Sequence, residues 1–258
     1  MGFSDLHIHS VHSYDGTASV SAILKYASSK LDLNVIAITD HDSMAGVNEA
    51  LDLAPRYGLE VIPGCEVSSK DGHVLCLFIS KPIPAGLSLL ETVLRTGEQG
   101  GLCVAAHPMA KGVNSLKFST IRDTLNNQNA KEILVGIEAY NGGLVYTRRN
   151  PMVEDESALL PLAQLGNSDS HVLNMIGQGS SWFKGSTASD LRNAIQNHST
   201  RPRRGQGLTG AAVLTSYVPK YLLRKLGWVS WNSAPDTAIR LANLAKIQTM
   251  NQFSGVSN

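Results

Sequence analysis

The stretch DLHIHSVHSYDG, residues 5–16, sets His7, His9 and His12 close together, with Asp15 just beyond them. Later motifs repeat the theme. TDHD carries His41, PGCE carries Glu66, GHVLCLF carries His73, AAHP carries His107, and NSDSH carries Asp169 and His171. Imidazole and carboxylate donors of this kind suit Zn, Mn or Fe, and a carboxylate such as Glu66 can bridge two ions. In an extended chain positions i and i+2 point the same way, so His7 and His9 face one metal while Ile8 packs behind them. Asp169 and His171 have the same spacing. Taken singly, each motif reads equally well as a surface pair, a turn or a helix start. Their common placement gives them weight.

That placement depends on the elements around them. Runs at 35–39, 59–64, 73–79, 101–106 and 133–140 have the branched, apolar character of strands. Amphipathic segments lie near 20–31, 45–57, 87–99, 120–127 and 156–165. The alternation predicts a mainly parallel sheet, doubly wound or closed into a barrel. The histidines and acids fall at the ends of the predicted strands. In a parallel barrel those ends share one mouth, so residues remote in sequence converge there. After about residue 206 the pattern changes to basic and aromatic, with Trp228 and Trp231, and then to a helical run opened by Pro235. Residues 206–258 are therefore expected to form a helical appendage on a main domain of residues 1–205.

Composition narrows the class. The chain has 258 residues, 43% hydrophobic and 17% charged, with a net charge of +1, which fits a soluble globular protein. No apolar run is long enough to span a membrane, and no secretory signal is visible, so the expected setting is cytoplasmic. Cys65, Cys76 and Cys103 sit in apolar runs and read as buried free thiols, not as zinc ligands. Between 191 and 235 there is no acid, while Arg192, Arg201, Arg203, Arg204, Lys220, Arg224 and Lys225 are all basic. This asymmetry reads as a solvated basic face or as a surface that attracts phosphate or nucleic acid.

The ordered motifs DLHIHSVHSYDG, ITDHDS, PGCEVSS, GHVLCLF, AAHP and GNSDSH resemble the PHP family, named for polymerase and histidinol phosphatase. The match runs over about 3–202. The resemblance implies a distorted (β/α)7 TIM-like barrel with a trinuclear metal site at its mouth, here followed by the C-terminal helical appendage. Carried over by position, it puts His7, His9, Glu66 and Asp169 on one metal. Glu66 would bridge to a second ion held by His73 and His107, and Asp15, His41 and His171 would hold a third. His12 has no place in this set.

Two to three divalent ions (Zn, Mn or Fe) can hydrolyse a phosphate ester through metal-activated water, with no side-chain nucleophile. The expected substrate is a nucleotide, a short oligonucleotide or a small phosphorylated metabolite. Glu66, His41 and His171 are the expected catalytic residues, the two histidines steadying the leaving group by family analogy. Asp40 and Asp42 are candidate acceptors for imidazole N–H groups. Lys111, Arg148 and Arg149 follow strands closely enough to contact phosphate, and Arg201 and Arg203 are further candidates. A histidinol-phosphate phosphatase is the alternative within the same chemistry. A metal-stabilised module that binds nucleic acid or a polymerase without hydrolysis is the alternative outside it.

Overall fold

Strand residues here are buried without alternation, as in Val35–Ile38 and Leu102–Ala105, the pattern of strands covered on both faces. The computed structural model describes residues 1–110, 114–143, 146, 149–206 and 210–226. Its first half contains β1 (Gly2–Ile8), α1 (Val20–Lys30), β2 (Val35–Ile38), α2 (Ala45–Leu53), β3 (Glu60–Ser69), β4 (Gly72–Leu77), α3 (Leu89–Gly97) and β5 (Leu102–Ala105). Next come α4 (Phe118–Leu125), α5 (Gln128–Lys131), β6 (Leu134–Asn141), α6 (Asn150–Ser157) and β7 (Ala163–Asn167). The described chain closes with β8 (Gly179–Phe183), α7 (Ala188–Gln196), β9 (Arg201–Arg204) and α8 (Gly210–Lys225).

The strands form one sheet in the order β7-β6-β5-β4-β3-β2-β1-β8-β9, and its two ends meet. His9 N donates to Ser170 O at 2.9 Å and Ser170 N donates to His7 O at 3.2 Å, so β1 pairs with the chain leaving β7. The Ser181 hydroxyl of β8 bonds both backbone groups of Gly166 on β7. The result is a nearly closed α/β barrel. Helices α1 and α2 bury Val20, Ile23, Leu24 and Val47 with Ile8, Ile36 and Ile38. Helices α3 and α4 bury Leu89, Val93, Phe118 and Ile121 against Cys76, Cys103 and Leu134.

Helix α7 packs at the barrel end away from the mouth. Glu60, which opens β3, accepts from Ala188 N at 2.7 Å. The buried Arg192 donates to Gly100 O at 2.7 Å and lies over the Phe78 ring. The helix starts with a capping box in which the Thr187 hydroxyl accepts from Asp190 N and the Asp190 carboxylate reaches back to Thr187. Thr187→Ala should cost about 1 kcal/mol, the ordinary value of such a cap, read as a lower urea midpoint with unchanged slope.

Four sequence expectations need correction. The sheet is not mainly parallel, because β3–β4, β4–β5, β1–β8 and β8–β9 pair antiparallel. Among the described residues it has nine strands rather than seven, since the β8–β9 pair adds to the edge of β1. The segment 156–165 is not one helix. Helix α6 starts earlier, with Pro151 in its first turn where a missing N–H is harmless, and Pro161 stands in the turn before β7. Glu66 lies inside β3 rather than after it. All three cysteines are buried and free, as expected. Lys111, Arg148, Trp228, Trp231 and the run from Pro235 lie outside the described residues.

Candidate metal centre

Glu66 stands at the centre of the mouth, fully buried. Its Oε1 lies 3.0 Å from His73 Nδ1 and 3.0 Å from His107 Nε2. Its Oε2 lies 3.1 Å from His7 Nε2, 3.3 Å from His9 Nε2 and 3.1 Å from His41 Nδ1. Asp169 Oδ1 approaches the same two nitrogens of His7 and His9 at 3.3 and 3.2 Å. On the outer side Asp15 Oδ2 meets His171 Nε2 at 2.9 Å and His41 Nε2 at 3.5 Å. All nine residues named from the sequence therefore gather in one place.

Each arrives by a local device. His7, in β1, and His9, one residue past its end, reach the same carboxylates, as the two-residue period of an extended chain requires. His73 comes from the start of a strand, not its end, and only the antiparallel run of β4 brings that start to the mouth, opposite Ser68 of β3. Asp169, with a φ of 50°, sets its Oδ1 on His7 and His9 and 3.8 Å from His171 Nδ1, while His171 Nε2 meets Asp15. His107 is also left-handed, with a φ of 27°. Non-glycine residues held this way cost about 1–3 kcal/mol each and persist where the surroundings fix them. Asp15 rides a tight loop in which the Ser13 hydroxyl donates to its Oδ1 at 2.7 Å. A Cβ on Gly16 would stand 1.9 Å from Ser10 O, so the loop closes only with glycine there.

The donors fit metal ions better than they fit one another. His7 Nε2, both ring nitrogens of His9, His41 Nδ1, His73 Nδ1 and Glu66 Oε2 are buried with no hydrogen-bond partner. Unpaired buried polar atoms are costly, and each such group needs an explanation. Glu66 and Asp169 oxygens stand 3.0–3.3 Å from most of these nitrogens without completing hydrogen bonds to them. Among the described residues, four sets of donors lie within 4.8 Å: His7, His9 and Glu66; His41, Glu66 and His73; His7, His107 and Asp169; and His9, Asp15, His41 and His171. Nitrogen–oxygen sets of this kind suit Zn, Mn or Fe.

The fields are strong. Burial opposes charge on His9, yet the Asp169 and Glu66 carboxylates beside it push it up to about 10. Burial would raise Glu66 and Asp169, but His7 and the other surrounding imidazoles hold both well below the usual carboxylate range.

Residues missed in the sequence complete the site. Glu138 of β6 is fully buried and accepts from His7 Nδ1 at 2.8 Å, His107 N at 2.8 Å, Asn167 Nδ2 at 2.8 Å and Asn141 Nδ2 at 3.0 Å. It keeps the proton of His7 on Nδ1, which leaves Nε2 free to ligate. The signal was a lone acid inside the apolar run ILVGIEAY. Glu138→Gln should weaken metal binding about 10- to 100-fold, the usual size of such an orienting contact, as measured by metal titration. Tyr146 stacks on His107 at 5.0 Å and Tyr14 on His41 at 4.7 Å.

Other candidates sit elsewhere. Asp40 accepts from Ser10 N and Oγ, and Asp42 from Ser68 N, so both brace backbone rather than imidazole. His12 lies 3.7 Å from Glu49 on α2. Arg149 points at the Met152 sulfur and lines a small cavity behind His107 and Glu138. Arg203 forks onto Asp32 and covers Phe3, and Arg201 lies over Trp182. Phe3 stands at the start of β1, Asp32 before β2, and Trp182 on β8 opposite Phe3, all away from the mouth.

A model of the PHP domain matches residues 5–198. The chain belongs to the PHP family. A relative in Methanocaldococcus jannaschii, an uncharacterised protein, is 34% identical over 148 residues, which is 54% of this chain and 81% of that one. A 5'-3' exoribonuclease of Haemophilus influenzae is 28% identical and covers 74% of this chain and 63% of its own. A two-domain protein of Bacteroides vulgatus containing a predicted PHP-like metal-dependent phosphoesterase superposes with a TM-score of 0.62 at 21% identity, over 84% of this chain and 69% of that one. This PHP chain is a metal-dependent phosphoric ester hydrolase with the barrel fold of its family. Among its described residues no helix is long and apolar enough to cross a membrane.

Proposed function

We propose that this PHP protein hydrolyses a phosphate ester of a nucleotide or a short oligonucleotide, using two or three Zn, Mn or Fe ions. The supporting observation is the set of buried, hydrogen-bond-free imidazole nitrogens arrayed around Glu66 and Asp169. His7, His9, Glu66 and Asp169 would hold one ion. Glu66, His73 and His107 would hold a second, and Asp15, His41 and His171 a third. When bound, such ions clamp a phosphoryl group and lower the pKa of water enough to supply the attacking oxygen at neutral pH.

The chain's own residues do the rest. The side chains of His7 and His9 are sealed from solvent, whereas those of His171 and Asp15 are 24% and 17% exposed. The scissile group therefore enters past Asp15 and His171, and the leaving group departs on that side, where His41 and His171 steady it. Tyr14, Asn114 and Tyr146 line the cavity, which holds about 260 Å³. That volume takes a phosphoryl group with room for part of what it is attached to, and a longer substrate would extend onto the rim. Lys111 and Arg148 are candidate phosphate contacts, and Arg149 would join them only by leaving the Met152 sulfur. Residues 1–205 would carry the chemistry and 206–258 would form the appendage, with the three thiols kept reduced in a cytoplasmic setting. A nucleic-acid substrate is further supported by the Haemophilus influenzae exoribonuclease likeness.

The test is to assay the purified chain with Mn²⁺, and again after chelation, on p-nitrophenyl phosphate, a bis-ester analogue, histidinol phosphate and short RNA. Chelator-sensitive turnover that favours RNA or nucleotides is expected. Preference for histidinol phosphate would move the substrate to that amino alcohol ester, and no turnover with metal confirmed bound would remove the enzymatic reading.

A further inference from the structure

The metal cluster is joined to the surface by a ladder of rings. His9 stacks on His171 at 4.3 Å, His171 meets the Tyr217 edge at 6.4 Å, and Tyr217 stacks on Tyr221 at 5.3 Å. Lys225 Nζ then lies 5.4 Å from the Tyr221 ring centre. The last three residues belong to α8. Tyr217, Lys220, Tyr221 and Arg224 recur at i, i+3, i+4 and i+7, which puts them on one helix face. That face is tied to the mouth. Arg224 donates to Gly16 O, next to Asp15. Asn174 donates to Ser216, and Val213 packs with Val172 and Met175 just after His171.

Charge on the two surfaces is divided. The described residues lining the cavity include Asp15, Glu66 and Asp169 and no lysine or arginine. Helix α8 has no acid and carries Lys220, Arg224 and Lys225. A single phosphoryl group needs only the cavity. The cationic, aromatic strip beside it suits a substrate that continues beyond that group with rings and further phosphates.

We propose that this face of α8 binds the portion of substrate beyond the scissile phosphate, and that this portion is single-stranded nucleic acid. Tyr221 stacks a base, while Lys220 and Lys225 meet backbone phosphates. Aromatic stacking of bases combined with a cationic track is how single strands are held without sequence preference. The inference rests on the phosphoesterase reading above and assigns the reason this chain would prefer a polymer end to a simple ester.

The full chain loaded with Mn²⁺ is compared on p-nitrophenyl phosphate and on a 5′-labelled oligoribonucleotide. Tyr221→Ala should lower kcat/KM for the oligonucleotide roughly 5- to 150-fold, the size of one lost base stack. Turnover of p-nitrophenyl phosphate should stay within about twofold, and Tyr221→Phe should restore oligonucleotide turnover because it keeps the ring. Lys225→Glu should flatten the salt dependence of oligonucleotide binding by a slope of about 0.7 or more, as expected for one lost phosphate contact on a single strand. Equal loss on both substrates would mean that the ring only pins the helix, and the proposal falls. It falls too if Tyr221→Ala leaves the oligonucleotide unaffected, including the case where the chain instead sediments with phosphatidylserine vesicles through exposed Leu214, Val218 and Leu222. Fluorescence anisotropy of the labelled oligonucleotide reads the same contact without turnover, so a wild-type chain inactive on every ester would sink the phosphoesterase reading while still testing this one.

Discussion

Glu66→Gln is expected to lower turnover by at least about 10³-fold, the largest effect of any single substitution in this chain. The physical reason is position. Both carboxylate oxygens are shared among five imidazoles at 3.0–3.3 Å, so the amide removes a negative charge from two proposed ion sites at once. Metal ions contribute several kcal/mol of charge stabilisation in the transition state, and each 1.36 kcal/mol is about tenfold in rate. The amide NH₂ would also face ring nitrogens that need an acceptor or a cation between them. The measurement pairs steady-state turnover with metal content by mass spectrometry. Near-normal rates with full metal content would show that Glu66 is not a bridging ligand. His9→Ala and Asp169→Ala should follow Glu66→Gln in loss of activity, with the far-ultraviolet circular dichroism largely kept.

Metal removal is expected to lower thermal stability almost as dramatically as it lowers activity. An ion present at about a thousandfold excess over its dissociation constant adds about 4 kcal/mol to the folded state. For a chain of this length that corresponds to about 8–16 °C in Tm. The pH dependence of the metal-free protein carries a definite sign. His9 has its folded pKa raised to about 10, so its contribution is fully present below about 6.5 and is lost as pH rises toward 10. Glu66 and Asp169 have lowered folded pKa values, so their contribution is present above the ordinary carboxylate range and is lost as pH falls below it. The metal-free chain should therefore be most stable near pH 5–6 and should weaken on alkalinisation. With metal the alkaline arm reverses, because ligation requires neutral imidazoles and becomes tighter as protons leave. Melting curves at several pH values, with and without chelator, check both arms. A metal-free protein that gains stability between pH 7 and 9 would contradict the assignment of proton-holding imidazoles.

Much of the site was legible because its residue types are rare and its spacing is local. HxH on an extended run needs only the two-residue period of a strand to put His7 and His9 on one target. The motifs around His41 and His107 could be assigned to strand ends from branched, apolar runs alone, whereas Glu66 lies inside its strand; the structure brings all three together. Helix positions such as Val20–Lys30 and Ala45–Leu53 followed equally well from apolar period. What failed was directional. Strand sense is not written in hydrophobic pattern, so the antiparallel pairings of β4 were invisible, and with them the reason that His73 reaches the mouth from the start of its strand. The left-handed turn at Asp169 was equally hidden, since its motif has the spacing of an extended pair.

The sequence by itself determined the candidate donor set, the class of chemistry and most of the elements that carry it, because ligand type and periodicity are properties of short segments. Only the tertiary structure decided which donors share an oxygen, that Glu138 fixes the His7 tautomer from 131 residues away, and that α8 lays Tyr217 beside His171. Those facts depend on barrel closure, through β1 pairing with the chain after β7 and α8 folding back over the mouth. Closure is a long-range event, and no local pattern encodes the contacts it creates.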